Sequence, residues 1–118
     1  MNRIAFVRAY VQAALWSTVG ASGQFLDAHY TVGHIEGPSL DRIQTEWEDF
    51  IARHWNTLCT AGLSETQAGH DFWWSRNADD AGFCDRDLGE LGERLSAAAR
   101  SYGPQRLVEV HDGWLCAV

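Results

Sequence analysis

Gly69-His70-Asp71-Phe72-Trp73-Trp74-Ser75-Arg76 is the stretch on which the fold turns. Its run of aromatic residues favours extended backbone, because bulky rings pack well on a pleated surface. We therefore expect a strand here, returned by a turn over residues 77–82 into a short second strand at Phe83 and Cys84. Side chains alternate faces along a strand, which sends His70 and Asp71 to opposite sides and turns one of Trp73 and Trp74 outward.

Moving outward, Asp87 reads as the N-cap of a helix, with Glu90 three residues on as its capping-box partner and Gly103-Pro104 as the stop. Leu88, Leu91, Leu95, Ala98 and Tyr102 give that helix an apolar stripe. Arg106–Val110 and Trp114–Ala117 then flank His111-Asp112-Gly113, a hairpin signal because Asp-Gly suits positive backbone angles. Upstream, Pro38-Ser39 opens a helix running to Ala61, with Gly62 as its stop. Its buried stripe is Leu40, Ile43, Trp47, Phe50, Ile51, His54 and Leu58, while Asp41, Glu46, Glu48 and Asp49 make the other side acidic. Trp55 falls off the stripe. The first helix carries Ile4, Val7, Tyr10, Val11, Ala14 and Leu15 at helical spacing and ends near Trp16-Ser17, with Arg3 and Arg8 outside. Between these helices, Ser17–Pro38 reads as a long loop anchored by Phe25, Leu26 and Tyr30.

The order helix, helix, hairpin, helix, hairpin predicts an α+β fold, with an antiparallel sheet and helices packed on one face. A length of 118 residues fits one domain over residues 1–118. A chain of that size buries roughly two-thirds of its unfolded surface, enough for a core without disulfide or metal staples.

Charge narrows the partners. Sixteen Asp+Glu face nine Lys+Arg, all nine of them arginine, for a formal net charge of −7. This balance opposes direct nucleic-acid binding, which needs clustered cations, and leaves a protein that grips nucleic acid as a plausible target. Three cysteines, Cys59, Cys84 and Cys116, are too widely spaced for a disulfide framework or a zinc site. Neither a signal-peptide pattern nor a run of about 18 to 20 apolar residues is present, so a cytoplasmic, membrane-free setting is expected. No cofactor motif is evident: the glycines in Leu88-Gly89 and Leu91-Gly92 lie in a helical stretch with no lysine after them, and they point to close backbone packing.

The pattern Ala68-Gly69-His70-Asp71-Phe72-Trp73, Arg76-Asn77, Ala81-Gly82-Phe83, Asp85-Arg86 and Leu88-Gly89-Glu90-Leu91-Gly92-Glu93-Arg94-Leu95 resembles a family of small bacteriophage and prophage proteins. Weaker likeness at Tyr10-Val11, Ala14–Ser17, Leu26-Asp27, Tyr102-Gly103 and Asp112-Gly113 extends it over most of the chain. The resemblance implies a mobile-element origin and carries no established chemistry. Where those proteins have a loop rich in glycine and histidine, this chain has Ala78-Asp79-Asp80, and an aromatic position is here Cys84.

Two site readings follow. Asp79, Asp80, Asp85, Asp87, Glu90 and Glu93 concentrate negative charge against Arg86 alone, and Trp74 offers an apolar anchor. Together with the resemblance they predict a stoichiometric inhibitor of a host nucleic-acid-targeting defence complex, of the anti-CRISPR or antirestriction type, working in the host bacterial cytoplasm. The alternatives are a small metal-dependent or hydrolytic enzyme centred on His70, Asp71 and Asp85, and a phage accessory or assembly protein, with a homodimer through the sheet edge possible in either binding role. No catalytic or metal-ligating set is expected, because alternation on a strand keeps His70 and Asp71 apart and the other histidines lack ligand spacing.

Overall fold

The computed structural model describes residues 3–77 and 81–118. It is mostly helical, with four helices and one small antiparallel sheet: α1 (Arg3–Ser17), α2 (Gly37–Ala61), α3 (Glu65–Asn77), α4 (Glu90–Arg100), β1 (Leu107–Glu109) and β2 (Leu115–Ala117). The two strands pair Leu107 with Ala117, Val108 with Cys116 and Glu109 with Leu115. The class is α+β as expected, but the layout differs: helices pack chiefly on one another, and the sheet is a two-stranded ribbon.

The decisive stretch is a helix. Residues 69–76 lie inside α3, so the expected strand and its hairpin are corrected. Local chemistry overrides aromatic strand preference. The Ser64 hydroxyl accepts the Gln67 amide at 3.1 Å while the Gln67 side chain accepts the Ser64 amide at 3.0 Å, a reciprocal cap that nucleates the first turn. At the other end the Asn77 side chain donates to the Trp73 carbonyl at 2.9 Å and accepts the Gln105 amide at 2.8 Å. The expected strand at Phe83 and Cys84 is likewise a 3-10 turn, Gly82–Arg86.

Packing explains why α3 is helical at all. Ala68, Phe72 and Ser75, with Gly69, Trp73 and Arg76, form one continuous buried face. Phe72 is the hub: its ring lies 5.8 Å from Phe6, 5.7 Å from Tyr10, 4.7 Å from Phe50 and 5.3 Å from Tyr102. The edge-on contacts with Phe6, Tyr10 and Phe50 add to burial of a large ring. α1 lies against this face and is buried on most of its own sides through Phe6, Val7, Tyr10, Val11, Ala13, Ala14 and Leu15, while Arg3 and Arg8 stay exposed.

α2 keeps the stripe read from its sequence, with Ile43, Trp47, Phe50 and Leu58 buried and Gly62 closing it in the left-handed conformation (φ 72°, ψ 25°). Its start is corrected. The helix begins at Gly37, and Ser39 is fully buried within the first turn, where its hydroxyl donates to Glu36 at 2.8 Å and accepts the Ala117 amide at 2.9 Å. Ser39 thus ties β2 to the helix instead of capping it.

α4 also starts later than expected. Asp87 (φ 57°, ψ 40°) ends the preceding turn, and Gly89 (φ 61°, ψ −131°) precedes Glu90. Gly89 occupies a region that side chains disfavour, so the chain turns there and the Asp87 capping box does not form. Gly92 matches the close-packing reading, since a Cβ there would stand 2.7 Å from the Phe83 carbonyl oxygen. Asp112 (φ 64°) and Gly113 (φ 79°) have the positive angles anticipated for the β1–β2 connection.

The loop between α1 and α2 is ordered by contacts. Leu26 is its buried anchor, whereas Phe25 is exposed and bridges Val19. Glu109 on β1 accepts the Ala21 amide and the Tyr30 hydroxyl, both at 2.7 Å, and these bonds hold its carboxyl below the ordinary range. A lowered folded-state pKa contributes stability that is present above the unfolded value, about 4.3, and lost as pH falls through the folded value. We expect the protection factor of the Ala21 amide to drop on acidification from about pH 7 to about pH 3, while amides in α1 stay protected. Equal protection at both pH values in hydrogen exchange counts against this tie.

Candidate partner-binding surface

Helix geometry brings together what a strand would separate. His70 and Asp71 both face a hollow of about 480 Å³ that is also lined by Trp74, Gly82, Asp85 and Arg86. The expectation that His70 and Asp71 diverge is therefore corrected, because α3 is a helix and the turn 82–86 folds back across it.

Inside the hollow most polar capacity is already committed. Asp71 is buried, and its two carboxylate oxygens accept from Arg86 Nε and from Arg86 Nη2, the latter at 3.1 Å. The nearer His70 nitrogen, Nδ1, lies 3.5 Å from Asp71 Oδ1, and the Trp74 indole donates to His70 Nε2 at 3.2 Å. The indole bond occupies the Nε2 lone pair that a general base would need. Among the described residues no group of three or more His, Cys, Asp and Glu is placed to hold a metal ion. The His70 and Asp71 side of the hollow is thus held by neighbouring side chains, while Asp85 on its lining is left unpaired among the described residues.

Around its mouth the picture changes. Trp16, half exposed at the end of α1, lies 6.1 Å from the His70 ring, and His70 lies 6.2 Å from Trp74, so three rings form a row across α1 and α3. Trp73 instead is buried and donates to Ser17 at 2.9 Å. Trp16 was not singled out from sequence, although Arg8, Gln12 and Trp16 share the four-residue spacing of one helical face, with both ends exposed.

Carboxylates continue from the row. Asp85 lines the hollow, and Asp85, Asp87, Glu90 and Glu93 are all exposed. Glu90 pairs with Arg94 at 3.1 Å; Asp85, Asp87 and Glu93 have no ion-pair or hydrogen-bond partner among the described residues. Asp79 and Asp80 lie outside the described residues.

The acidic side of α2, by contrast, is largely paired within the chain. Glu46 pairs with Arg76 at 3.1 Å and Glu48 with Arg3 at 3.5 Å. Asp49 accepts from the Tyr102 hydroxyl and from Arg53 Nε, in that order of effect, and is held below the ordinary carboxylate range. Asp41 is the exposed α2 carboxylate left without a side-chain partner among the described residues, so most of the free charge of the two acidic surfaces lies over residues 85–93.

Cys84 sits on that surface with its thiol donating to Ser96 at 3.0 Å; Cys59 is exposed and Cys116 half-buried. No helix among the described residues is long and apolar enough to cross a membrane. No protein-family model matches the chain, and no curated protein or solved structure is significantly similar to it.

Proposed function

We propose that this protein acts by contact, laying the carboxylates of residues 85–93 and the Trp74 edge against a basic groove of a nucleic-acid-handling protein, as a stoichiometric inhibitor of a host defence complex. The observation that carries the reading is the contrast in charge commitment. Asp85, Asp87 and Glu93 are exposed and unpaired among the described residues, while Glu46, Asp49 and Asp71 are held by partners within the chain, Glu48 pairs with Arg3 at the surface, and of the α2 carboxylates Asp41 alone is unpaired among the described residues. Free carboxylates beside indole rings suit a partner's arginines and lysines, which the rings attract through their faces and the carboxylates through charge. The resemblance to phage proteins supports a defence complex, of the CRISPR or restriction type, as the target class.

Capture of bound proteins from a bacterial lysate, followed by measured affinity for the captured complex, tests this. The double charge reversal Asp85→Arg/Asp87→Arg should weaken binding at least about tenfold, and raising salt from about 50 to about 300 mM should weaken it further. Affinity indifferent to both the reversal and the salt removes the acidic surface from the account.

A second reading has one observation in its favour: His70, Asp71 and Asp85 share a hollow, which a small metal-dependent or hydrolytic enzyme would require. Against it stands the pairing of Asp71 with Arg86 and of His70 with Trp74. Metal analysis of the purified protein, together with His70→Ala, separates the two. Stoichiometric metal that disappears in the variant supports turnover, whereas partner affinity retained by a metal-free variant supports contact.

A further inference from the structure

α2 is not a regular helix throughout. His54 has φ −126° and ψ 16°, well outside helical values, although residues 51–57 contain neither proline nor glycine. Kinks without those residues arise where a side chain or water enters the backbone ladder, and irregular backbone of this kind collects at binding sites. The His54 ring packs 5.1 Å from Phe50, and the kink opens onto a groove of about 830 Å³ between α2 and α4. Arg53, His54, Thr57, Arg94, Asp49 and Tyr102 supply its polar wall.

A donor and acceptor count on that wall is one-sided. Asp49 is its single carboxylate, and each of its oxygens already accepts a bond, one from Arg53 Nε and one from the Tyr102 hydroxyl. The Ser101 hydroxyl, which also borders the groove, donates to the Ala98 carbonyl at 2.6 Å. Left without partners among the described residues are both terminal nitrogens of Arg53, Nε and Nη1 of Arg94, the Thr57 hydroxyl and the His54 ring nitrogens. The surplus is dominated by the N–H donors of two guanidinium groups, with Thr57 and His54 able to donate or accept, in a chain with no lysine and a net charge of −7. An acceptor-rich, negatively charged ligand suits such a wall.

The ion pair of Arg94 with Glu90 is exposed on both sides and weak, so little opposes turning the guanidinium inward. The volume falls within the range of small-molecule sites, and a tetrahedral group with three acceptor oxygens matches two guanidinium forks better than a lone carboxylate does. We propose that the α2–α4 groove binds a small ligand through a phosphoryl group, gripped by Arg53 and Arg94 with Thr57 as a third donor. The phosphoryl can come from free phosphate or from a nucleoside monophosphate.

Inorganic phosphate and AMP, each titrated to about 10 mM into the whole chain and followed by amide and imidazole NMR shifts, test the site. Both probes should move the resonances of His54 and Thr57 and leave those of His70 in place. Comparable affinities identify free phosphate as the ligand, and about tenfold tighter AMP identifies an organic phosphate; each result supports the phosphoryl grip. Arg53→Gln/Arg94→Gln should weaken binding at least about tenfold, and Thr57→Val, which keeps the side-chain shape, should weaken it by less. The arginine side chains are 69% and 62% exposed, so the double variant should keep its fold, to be verified by its melting curve. The proposal fails if neither probe shifts His54 and Thr57, or if a natively folded double variant binds either probe as tightly as the parent.

Discussion

Gly69→Ala should unfold at a temperature lower by about 12 °C or more, corresponding to a loss of about 3 kcal/mol. The size of the effect comes from where the new methyl would go. A Cβ at Gly69 would stand 2.1 Å from the Phe6 carbonyl oxygen and 2.9 Å from its carbon, both backbone atoms of α1 that no rotamer change can move. Relief requires α1 and α3 to separate, and their contact face holds Phe6, Tyr10, Phe72 and Trp73. The sign is diagnostic, because alanine for glycine inside an unencumbered helix stabilises by about 1 kcal/mol. Gly37→Ala, in the first turn of α2 with open space around it, is the matching control and should be neutral or slightly stabilising. Thermal melts of the two variants side by side decide the matter: similar melting temperatures mean that α1 and α3 are not in backbone contact at Gly69.

This contact shows why some of the fold was legible in the chain and some was not. α2 announced itself through Pro38, a 3.6-residue apolar stripe and a terminal Gly62, all local signals. The β1–β2 connection was equally local, written in Asp112-Gly113. In the stretch 69–76 aromatic content points to a strand while the cap before it points to a helix, and the cap prevails. Ser64-Glu65-Thr66-Gln67 carries the Ser-x-x-Gln cap in plain view, and it would have set a helix running through Gly69. The glycine itself then makes sense: a poor helix former is kept where another helix backbone passes.

The candidate surface divides in the same way. Exposure of Asp85, Asp87, Glu90 and Glu93 was readable, since they sit in a turn and the first turn of a helix. Pairing of Glu46, Glu48 and Asp49 was not, because their partners Arg76, Arg3 and Tyr102 come from elsewhere in the chain. Gathering of His70 with Asp85 and Arg86 depended on the helix and on the fold-back at Gly82, where a Cβ would meet Ser75 Oγ at 2.3 Å and the Asp71 carbonyl at 2.6 Å. Many residues of the stretch 69–92 prove to be ties of this kind. Gly69, Asp71, Arg76, Asn77, Gly82, Arg86 and Gly92 each join two elements, so a specific pattern can exist without encoding a reaction.

Arg76 is the tie on which most depends, and Arg76→Met should cost about 3 to 5 kcal/mol. Its side chain is only 3% exposed, and it uses all five donors. Nη1 reaches Tyr10 at 3.0 Å and Glu46 at 3.1 Å, Nη2 reaches Glu46 at 3.1 Å and the Tyr102 carbonyl at 3.0 Å, and Nε reaches the Gly103 carbonyl at 2.8 Å. The guanidinium carbon also lies 5.5 Å from the Phe72 centroid and 5.9 Å from that of Tyr102, two rings that are themselves 5.3 Å apart and so flank it from the same side. Burial pushes the Tyr10 hydroxyl well above its ordinary pKa, so it stays protonated, accepts from Arg76 and donates to Gln105. One residue therefore joins α1, α2, α3 and the chain leaving α4. Methionine fills similar volume and removes every one of these bonds, leaving Glu46 as a poorly solvated carboxylate and two carbonyls without their donor. Most of the loss should trace to that stranded charge, because burying an ion pair gains little over well-packed apolar groups, whereas breaking one strands its partner. Arg76→Met/Glu46→Met should consequently recover at least about 1 kcal/mol relative to Arg76→Met alone, a rescue that neither side chain's size predicts. Urea unfolding of the parent, the two single variants and the double variant measures this coupling directly. A double variant no more stable than Arg76→Met would show that the cost lies in the carbonyls of Tyr102 and Gly103 and in the ring stacking, and that Glu46 holds its charge in water.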